Sequence, residues 1–409
     1  MKKTLFLTLV CAFAAGAATA GDTPRFRGPN GDGIFQETGL LKSWPDGGPP
    51  VAWTATGLGE GYSSAAVSEG KIYITGMDGD LTGHLFVLDM AGAQLKKIPY
   101  GKETTDDQAR GPRSTPTVDG DRVYIVSGLG MAYCLDAAAD KTLWEVNLLE
   151  RFGAENIQWT LAESVWLDGD RIICTPGGAK GALAALDKMT GATVWATTGL
   201  DDKTSYCSPA IITHKGRRLV VTETARYVIG VDAENGALLW KHEHKTNYDI
   251  HAVTPVYDGA GLLYYSGGYG SGGGALKLSD DGASVTQAWT DKTLDCQHHG
   301  VVLVDGHLYG TAHKGNSMVC LEMATGAVKW SDRGVRQGNT VLADGMLYIY
   351  EGPKTGVVHL VKPSPAGLES AGKFTVTAGT DKHWAHPAIV HGLLLIRRGD
   401  ALIAYNVRS

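Results

Sequence analysis

The chain has 409 residues, with 37 Lys and Arg against 43 Asp and Glu and a formal charge of −6. That balance lacks the basic field nonspecific nucleic-acid binding requires. With 55 glycines, only 15 prolines and a hydrophobic fraction of 43%, it is not a low-complexity disordered chain but one built of many short strands and tight turns.

Residues 1–20 read as a secretory signal. Lys2 and Lys3 make the basic start, Thr4 to Ala17 an apolar stretch too short to span a bilayer, and Ala18-Thr19-Ala20 a small-residue cleavage site. Cys11 lacks the Leu and small residues that precede a lipoprotein cysteine, so the expectation is a free periplasmic or secreted protein cleaved after Ala20. No later apolar run is long enough for a transmembrane helix. Beyond residue 20 the balance is 35 basic against 43 acidic residues. The five remaining cysteines, Cys134, Cys174, Cys207, Cys296 and Cys320, form no CxxC, which excludes a c-type haem attachment or a zinc ribbon.

Residues 21–48 form an N-terminal arm. Its Phe26-Arg27-Gly28-Pro29-Asn30-Gly31-Asp32-Gly33 is rich in turn formers and reads as lying on the surface. From residue 49 to 409 one pattern occurs eight times. The second copy runs Thr115-Pro116-Thr117-Val118-Asp119-Gly120, then Arg122 to Val126, then Ala132 to Asp136, then Thr142-Leu143-Trp144. The first turn glycine recurs at Gly70, Gly120, Gly169, Gly216, Gly259, Gly306, Gly345 and Gly392, at spacings of 39 to 50 residues. That is the length of a four-stranded meander, without helical periodicity. The eighth copy stops after Ala401 to Tyr405 without a Trp-bearing strand, and such a strand, Val51-Ala52-Trp53-Thr54, precedes the first. These features predict an all-β, eight-bladed β-propeller of four-stranded antiparallel blades, its ring closed by an N-terminal strand.

The segment from Ala185-Leu186-Asp187 through Thr190-Gly191 to Trp195 resembles the tryptophan-docking repeat of pyrroloquinoline-quinone (PQQ) type propellers. So do Val231-Asp232 with Asn235-Gly236 and Trp240, and Leu321-Glu322 with Thr325-Gly326 and Trp330. Weaker copies carry Gln94-Leu95-Lys96 in the first blade and Phe374 in place of Trp in the seventh. The resemblance implies that each Trp packs between blades over the Thr-Gly turn. The family includes large quinoprotein alcohol dehydrogenases, which implies PQQ with Ca2+, and a non-catalytic propeller lipoprotein of outer-membrane protein assembly, which implies a protein partner in the cell envelope. The chain departs from the dehydrogenases: it is much shorter, lacks adjacent cysteines and a haem motif, and offers no position for their calcium ligands or catalytic Asp. No catalytic residue or metal ligand is assigned.

In a meander, the loops entering the first strands and those joining second to third strands share one face of the ring. The opposite turns, such as Asp119-Gly120 and Thr190-Gly191, carry little but turn formers. The first face carries Tyr62, Arg113, Trp159, Tyr206, His251, His298, His299, Asn339, Trp384 and His386, with His84, Lys180, Arg226, His313, Lys314, Lys354 and Arg398 from the second set of loops. Converged on the channel mouth they would make a concave basic site with aromatic walls, suited to an anionic or polyhydroxylated small molecule. PQQ and an acidic saccharide fit equally. Asp80, Glu163, Asp249, Glu351 and Asp400 would cancel part of that field, and in the alternative these charges merely pair across loops. His298 and His299, if in a strand, would point to opposite faces, leaving one on the axis. The run Gly267 to Gly274 lacks a P-loop Lys-Ser/Thr, so no nucleotide is expected, and it reads as a flexible loop at the mouth. Cys134 and Cys320 sit at equivalent apolar positions and read as inert core thiols. Two functions follow: a quinoprotein-type oxidoreductase acting on alcohols or sugars, or a non-catalytic ligand-binding or assembly scaffold.

Overall fold

A computed structural model describes residues 21–104 and 108–409. The signal segment, including Cys11, lies outside the described residues. Eight sheets follow one another around a ring, each running from a short innermost strand to a half-exposed outermost one. The innermost strands are Ala66–Ser68, Thr117–Asp119, Trp166–Asp168, Ala210–His214, Val256–Tyr257, Val302–Val304, Gly338–Ala343 and Ala388–Val390. No helix among the described residues is long and apolar enough to cross a membrane.

The first hairpin of each blade shows why its glycine recurs. In five blades the turn is Glu69-Gly70, Lys215-Gly216, Asp305-Gly306, Asp344-Gly345 or His391-Gly392, and both residues have positive φ. This is the type I′ pattern, whose twist matches that of the flanking strands. In blades 2 and 3 glycine comes first, as Gly120 and Gly169 at φ 58°, the pattern of a type II′ turn. A Cβ at Gly70, Gly120 or Gly216 would meet nothing within 4 Å, so backbone conformation rather than space selects glycine there.

The docking tryptophans do pack between blades. A Cβ on Gly236 would lie 2.5 Å from Trp195 Cε3, and one on Gly326 would lie 2.5 Å from Trp289 Cε3. Each ring therefore rests on the bare backbone of the next blade's turn. Trp144 Nε1 donates to Lys188 O at 3.1 Å and Trp289 Nε1 to Met323 O at 3.0 Å. Burial of such a ring stabilises each blade junction by about 2 kcal/mol.

Ring closure follows the same rule. Val51–Ala55 is the outermost strand of blade 8, where Val51 pairs with Tyr405 and Trp53 with Ala404. Trp53 Nε1 then donates to Met90 O of blade 1 at 2.9 Å, so the borrowed strand also carries the docking ring across the seam.

The arm corrects one expectation. It does not lie on the surface but plugs the channel from the turn-rich face. Thr23 bridges Val67 of blade 1, Arg25 lies over the Trp166 ring of blade 3 at 4.5 Å, and Ile34–Phe35 pairs in parallel with Leu342–Ala343 as a fifth strand of blade 7. Its glycines serve close approach: a Cβ at Gly31 would sit 2.7 Å from Trp166, and one at Gly33 2.2 Å from Arg27 Nη2. The same residue types that make turns at a surface let a chain fold tightly inside a narrow channel.

Candidate functional site

The two expected sets of loops meet on one face. Tyr269 of blade 5 packs on His313 of blade 6 at 4.5 Å, and Asp295 accepts from Gly270 N at 2.7 Å. The expected residues separate into groups.

The first group lies on the axis. Tyr62 and Trp384 rings are 5.5 Å apart, and His298 meets Trp384 edge-on at 5.8 Å. His298 and His299 stack at 3.9 Å with 34° between their planes. This corrects the expectation that only one could face the axis: Gln297 to His299 form a bend rather than a strand, so successive side chains need not alternate. His386 Nε2 lies 2.9 Å from His298 O. Beneath it, Arg27 Nη1 lies 3.3 Å from His386 Nδ1. Because guanidinium only donates, His386 accepts at Nδ1 and carries its proton on Nε2, which donates to His298 O.

Arg27 was not expected here. It is 4% exposed and donates to Thr340 O, Val301 O and Asp32 O at 3.2, 3.0 and 3.3 Å. It forms no ion pair among the described residues, so a buried cation held by carbonyls closes the floor of the mouth. Arg113, from the loop into blade 2, donates to Thr160 Oγ1 at 3.2 Å and Ala109 O at 2.8 Å. Burial, followed by the charges of His313 and Arg113, lowers the His298 pKa to about 4. Burial also holds His299 and His386 well below the ordinary imidazole value. All three are neutral at pH 7. Among the described residues, His298 Nε2 and both ring nitrogens of His299 are buried without a hydrogen-bond partner.

The second group is an aromatic arc. Trp159 packs on Tyr206 at 6.1 Å and on Tyr248 at 5.7 Å, and Tyr248 meets Tyr269 at 5.2 Å. Tyr206 OH accepts from Trp159 N at 3.2 Å. Tyr248, 59% exposed at φ 65°, presents its ring to solvent. Gln297 joins the groups, donating to Tyr269 OH at 2.9 Å next to His298 in the chain. Tyr248, Tyr269 and Gln297 were missed by the sequence reading; the aromatics on either side of the first hairpin of blade 5, Val256–Tyr257 with Leu262–Gly267, are the signal that could have found the two tyrosines.

The third group stays apart. Arg226 pairs with Asp202 at 2.8 Å in a separate depression beside Lys203 and Asp249, so for it the alternative of pairing across loops is correct. Lys314 donates its backbone N–H to Asp295 and lays its side chain against Gly270. His251 is buried, with Nε2 3.0 Å from His244 Nδ1, and burial followed by the His244 charge lowers its pKa to about 3. The acids expected to weaken the basic field are engaged elsewhere, as in Glu163 accepting from Thr175 N and Glu351 bonding His359. His84 lies within the strand Thr82–Asp89. Half of the glycine run is strand: Gly267 ends Leu262–Gly267 and Gly272 to Gly274 begin Gly272–Leu278, where a Cβ at Gly274 would strike Trp289 O at 2.4 Å, and only Gly268 to Ser271 form the turn between them. Cys134 and Cys320 are fully buried, with burial raising both thiol pKa values.

A quinone held with calcium does not fit these residues. Calcium takes six to eight oxygens, carboxylates foremost. Among the described residues no group of three His, Cys, Asp or Glu side chains is placed to hold a metal ion. Neutral imidazoles can instead donate to and accept from a ligand's hydroxyls, and imidazole and guanidinium N–H groups can donate to its carboxylate oxygens.

A profile of the PQQ-repeat family described as outer membrane protein assembly factor BamB matches residues 51–332. The chain is similar to the outer membrane protein assembly factor BamB of Moranella endobia (strain PCIT), 24% identical over 235 residues, 58% of this chain and 48% of that one. It is also similar to a polyvinylalcohol dehydrogenase of a Pseudomonas species, 21% identical over 306 residues, 61% of this chain and 43% of that one. The matches span less than half the length of these relatives. Among solved structures, the quinohemoprotein alcohol dehydrogenase of Comamonas testosteroni superposes with a TM-score of 0.67 at 12% identity, over 95% of this chain and 81% of that one, which shows the shared fold. The chain belongs to the PQQ-repeat β-propeller family described as outer membrane protein assembly factor BamB.

Proposed function

We propose that this chain is an exported, non-catalytic binding module that holds an anionic, polyhydroxylated small molecule in its axial mouth. The observation that carries the reading is the unmatched polar floor: buried nitrogens of His298 and His299 without partners among the described residues, with His298 within the field of Arg113 and edge-on to the Trp384 ring. Buried polar atoms of this kind call for a partner. The positive field of Arg27 and Arg113 favours a carboxylate, and the Trp384 ring, with Lys382 Nζ 4.4 Å above it, adds an aromatic wall and a further cation. Calorimetry with glucuronate and glucose tests it. Saturable binding of glucuronate, weaker binding of glucose, and loss of both in Trp384→Ala and His298→Ala are expected. No glucuronate binding, or binding indifferent to both substitutions, would refute the reading.

The polyvinylalcohol dehydrogenase match favours a second reading, an oxidoreductase acting on alcohols or sugars. Reconstitution with PQQ and calcium followed by dye reduction with alcohol and sugar substrates decides it. Substrate-dependent reduction would establish the activity, and none would leave the binding reading alone.

A further inference from the structure

The arm pairs its backbone with one side of the lower channel only. Thr23 and Val67 exchange backbone hydrogen bonds at 3.0 and 2.8 Å, Val118 N–H donates to Pro24 O at 2.8 Å, and Leu342 N–H donates to Gly33 O at 2.8 Å. The arm thus takes the inward edges of blades 1, 2 and 7. These donors are available for a geometric reason. In a two-residue hairpin the closing pair is hydrogen-bonded, so the residue before it turns its N–H away from its partner strand. Val67 and Leu342 stand one position before the closing pairs Ser68–Lys71 and Ala343–Met346.

The same register holds in blades 4 and 6, whose inward strand edges the arm's backbone does not pair with. Thr213 precedes the closing pair His214–Arg217, and Leu303 precedes Val304–His307. Their N–H groups therefore also face the channel, and neither donates to the arm. Between them and the arm lies a cavity of about 450 Å³. Thr213, Val256, Tyr257 and Leu303 line one side, and Ile34 and Asp32 of the arm line the other. Asp32 Oδ1 accepts from Ile34 N at 2.9 Å, so the arm's acid here is already engaged.

We propose that this cavity is a docking slot for an extended peptide segment of a partner protein. The segment pairs its backbone with the inward edge at Thr213 and sets an apolar side chain against Val256, Leu303 and Ile34. The arm supplies the precedent within the molecule: Gly33-Ile34-Phe35 already lies as an added strand on the equivalent edge of blade 7. The slot continues that interface around the ring, and strand addition of this kind takes affinity from main-chain hydrogen bonds and selectivity from alternate side chains. It lies below the axial mouth, on the far side of Arg27, and its peptide contacts are with Thr213, Val256, Leu303 and Ile34.

The probe is a fluorescein-labelled hexapeptide of the arm's own sequence, Asp32 to Glu37, titrated into the full chain and followed by anisotropy. Saturable binding is expected, unaffected by glucuronate. Thr213→Pro removes one inward N–H that the blade does not use, and should weaken binding about fivefold. Thr213→Trp fills the slot and should abolish binding while the melting midpoint stays near that of the parent. If the proline variant does not fold, the tryptophan variant decides alone. Absence of saturable binding to the parent chain overturns the proposal, as does binding that survives Thr213→Trp, since the peptide would then have displaced the arm or bound elsewhere.

Discussion

Arg27 Nη1 and His386 Nδ1 meet 3.3 Å apart on the propeller axis, one contributed by the N-terminal arm and the other by the loop entering blade 8. The contact couples the plug to the mouth: it fixes the His386 tautomer, which in turn holds the bend carrying His298 and His299. Arg27→Ala leaves two buried carbonyls and one part-buried one without their donor, at about 1 kcal/mol or more each, so a loss of about 2–4 kcal/mol is expected in urea unfolding. Removing that neighbouring cation should also raise the His386 pKa, read from imidazole NMR shifts during a pH titration. Stability unchanged within about 0.5 kcal/mol would show the arm to be loosely held.

The seam of the ring gives a paired prediction. Trp53 carries blade 8 onto blade 1, whereas Val51 on the same strand is 55% exposed. Trp53→Ala should cost about 3–4 kcal/mol in chemical denaturation, and Val51→Thr less than about 0.5 kcal/mol. Equal effects of the two would mean that backbone pairing alone closes the ring.

The repeat was legible because propeller blades are local objects. Turn, strand and docking ring recur within 39 to 50 residues, so Gly120 or Trp195 carries its meaning in its own neighbourhood. The borrowed strand was legible because its absence at Tyr405 matched its presence at Trp53. The arm was not, because its partners are remote: Arg27 bonds Val301 and Thr340, some 274 and 313 residues away, and no local pattern separates a turn-rich segment on a surface from one threaded through a channel. The mouth was legible in its face and residue types but not in its grouping. Arg226 and Trp384 both sit in loops of that face, and only the presence of Asp202 at 2.8 Å removes Arg226 from the axis.

That separation predicts a silent substitution. Arg226 is ion-paired with Asp202 away from the imidazoles, and its side chain is 46% exposed. Arg226→Ala should leave glucuronate affinity within about twofold of the parent and cost about 1 kcal/mol or less of stability, as a half-exposed pair screened by solvent does. A tenfold loss of affinity in calorimetry would place Arg226 in the site after all.

The pH dependence of stability should have two limbs of opposite sign. Burial lowers the His298 pKa to about 4, so between the ordinary imidazole value of 6.5 and about 4 the unfolded chain binds the proton the folded chain refuses. Its contribution is complete above 6.5 and is lost as pH falls through that window. Glu163 is the reverse case: burial raises its pKa from 4.5 to about 8, opposed by the N–H of Thr175. The folded chain keeps that proton while the unfolded chain has shed it, so the contribution is complete below 4.5 and is lost as pH rises toward about 8. Glu163→Gln keeps shape and neutrality and removes the titration. Its stability relative to the parent should therefore rise between pH 5 and about 8 and level off above that, measured by urea denaturation at a series of pH values. A relative stability flat across that range would mean that Glu163 ionises in the folded chain as it does in water, and that water reaches the buried end of the blade 3 entry loop.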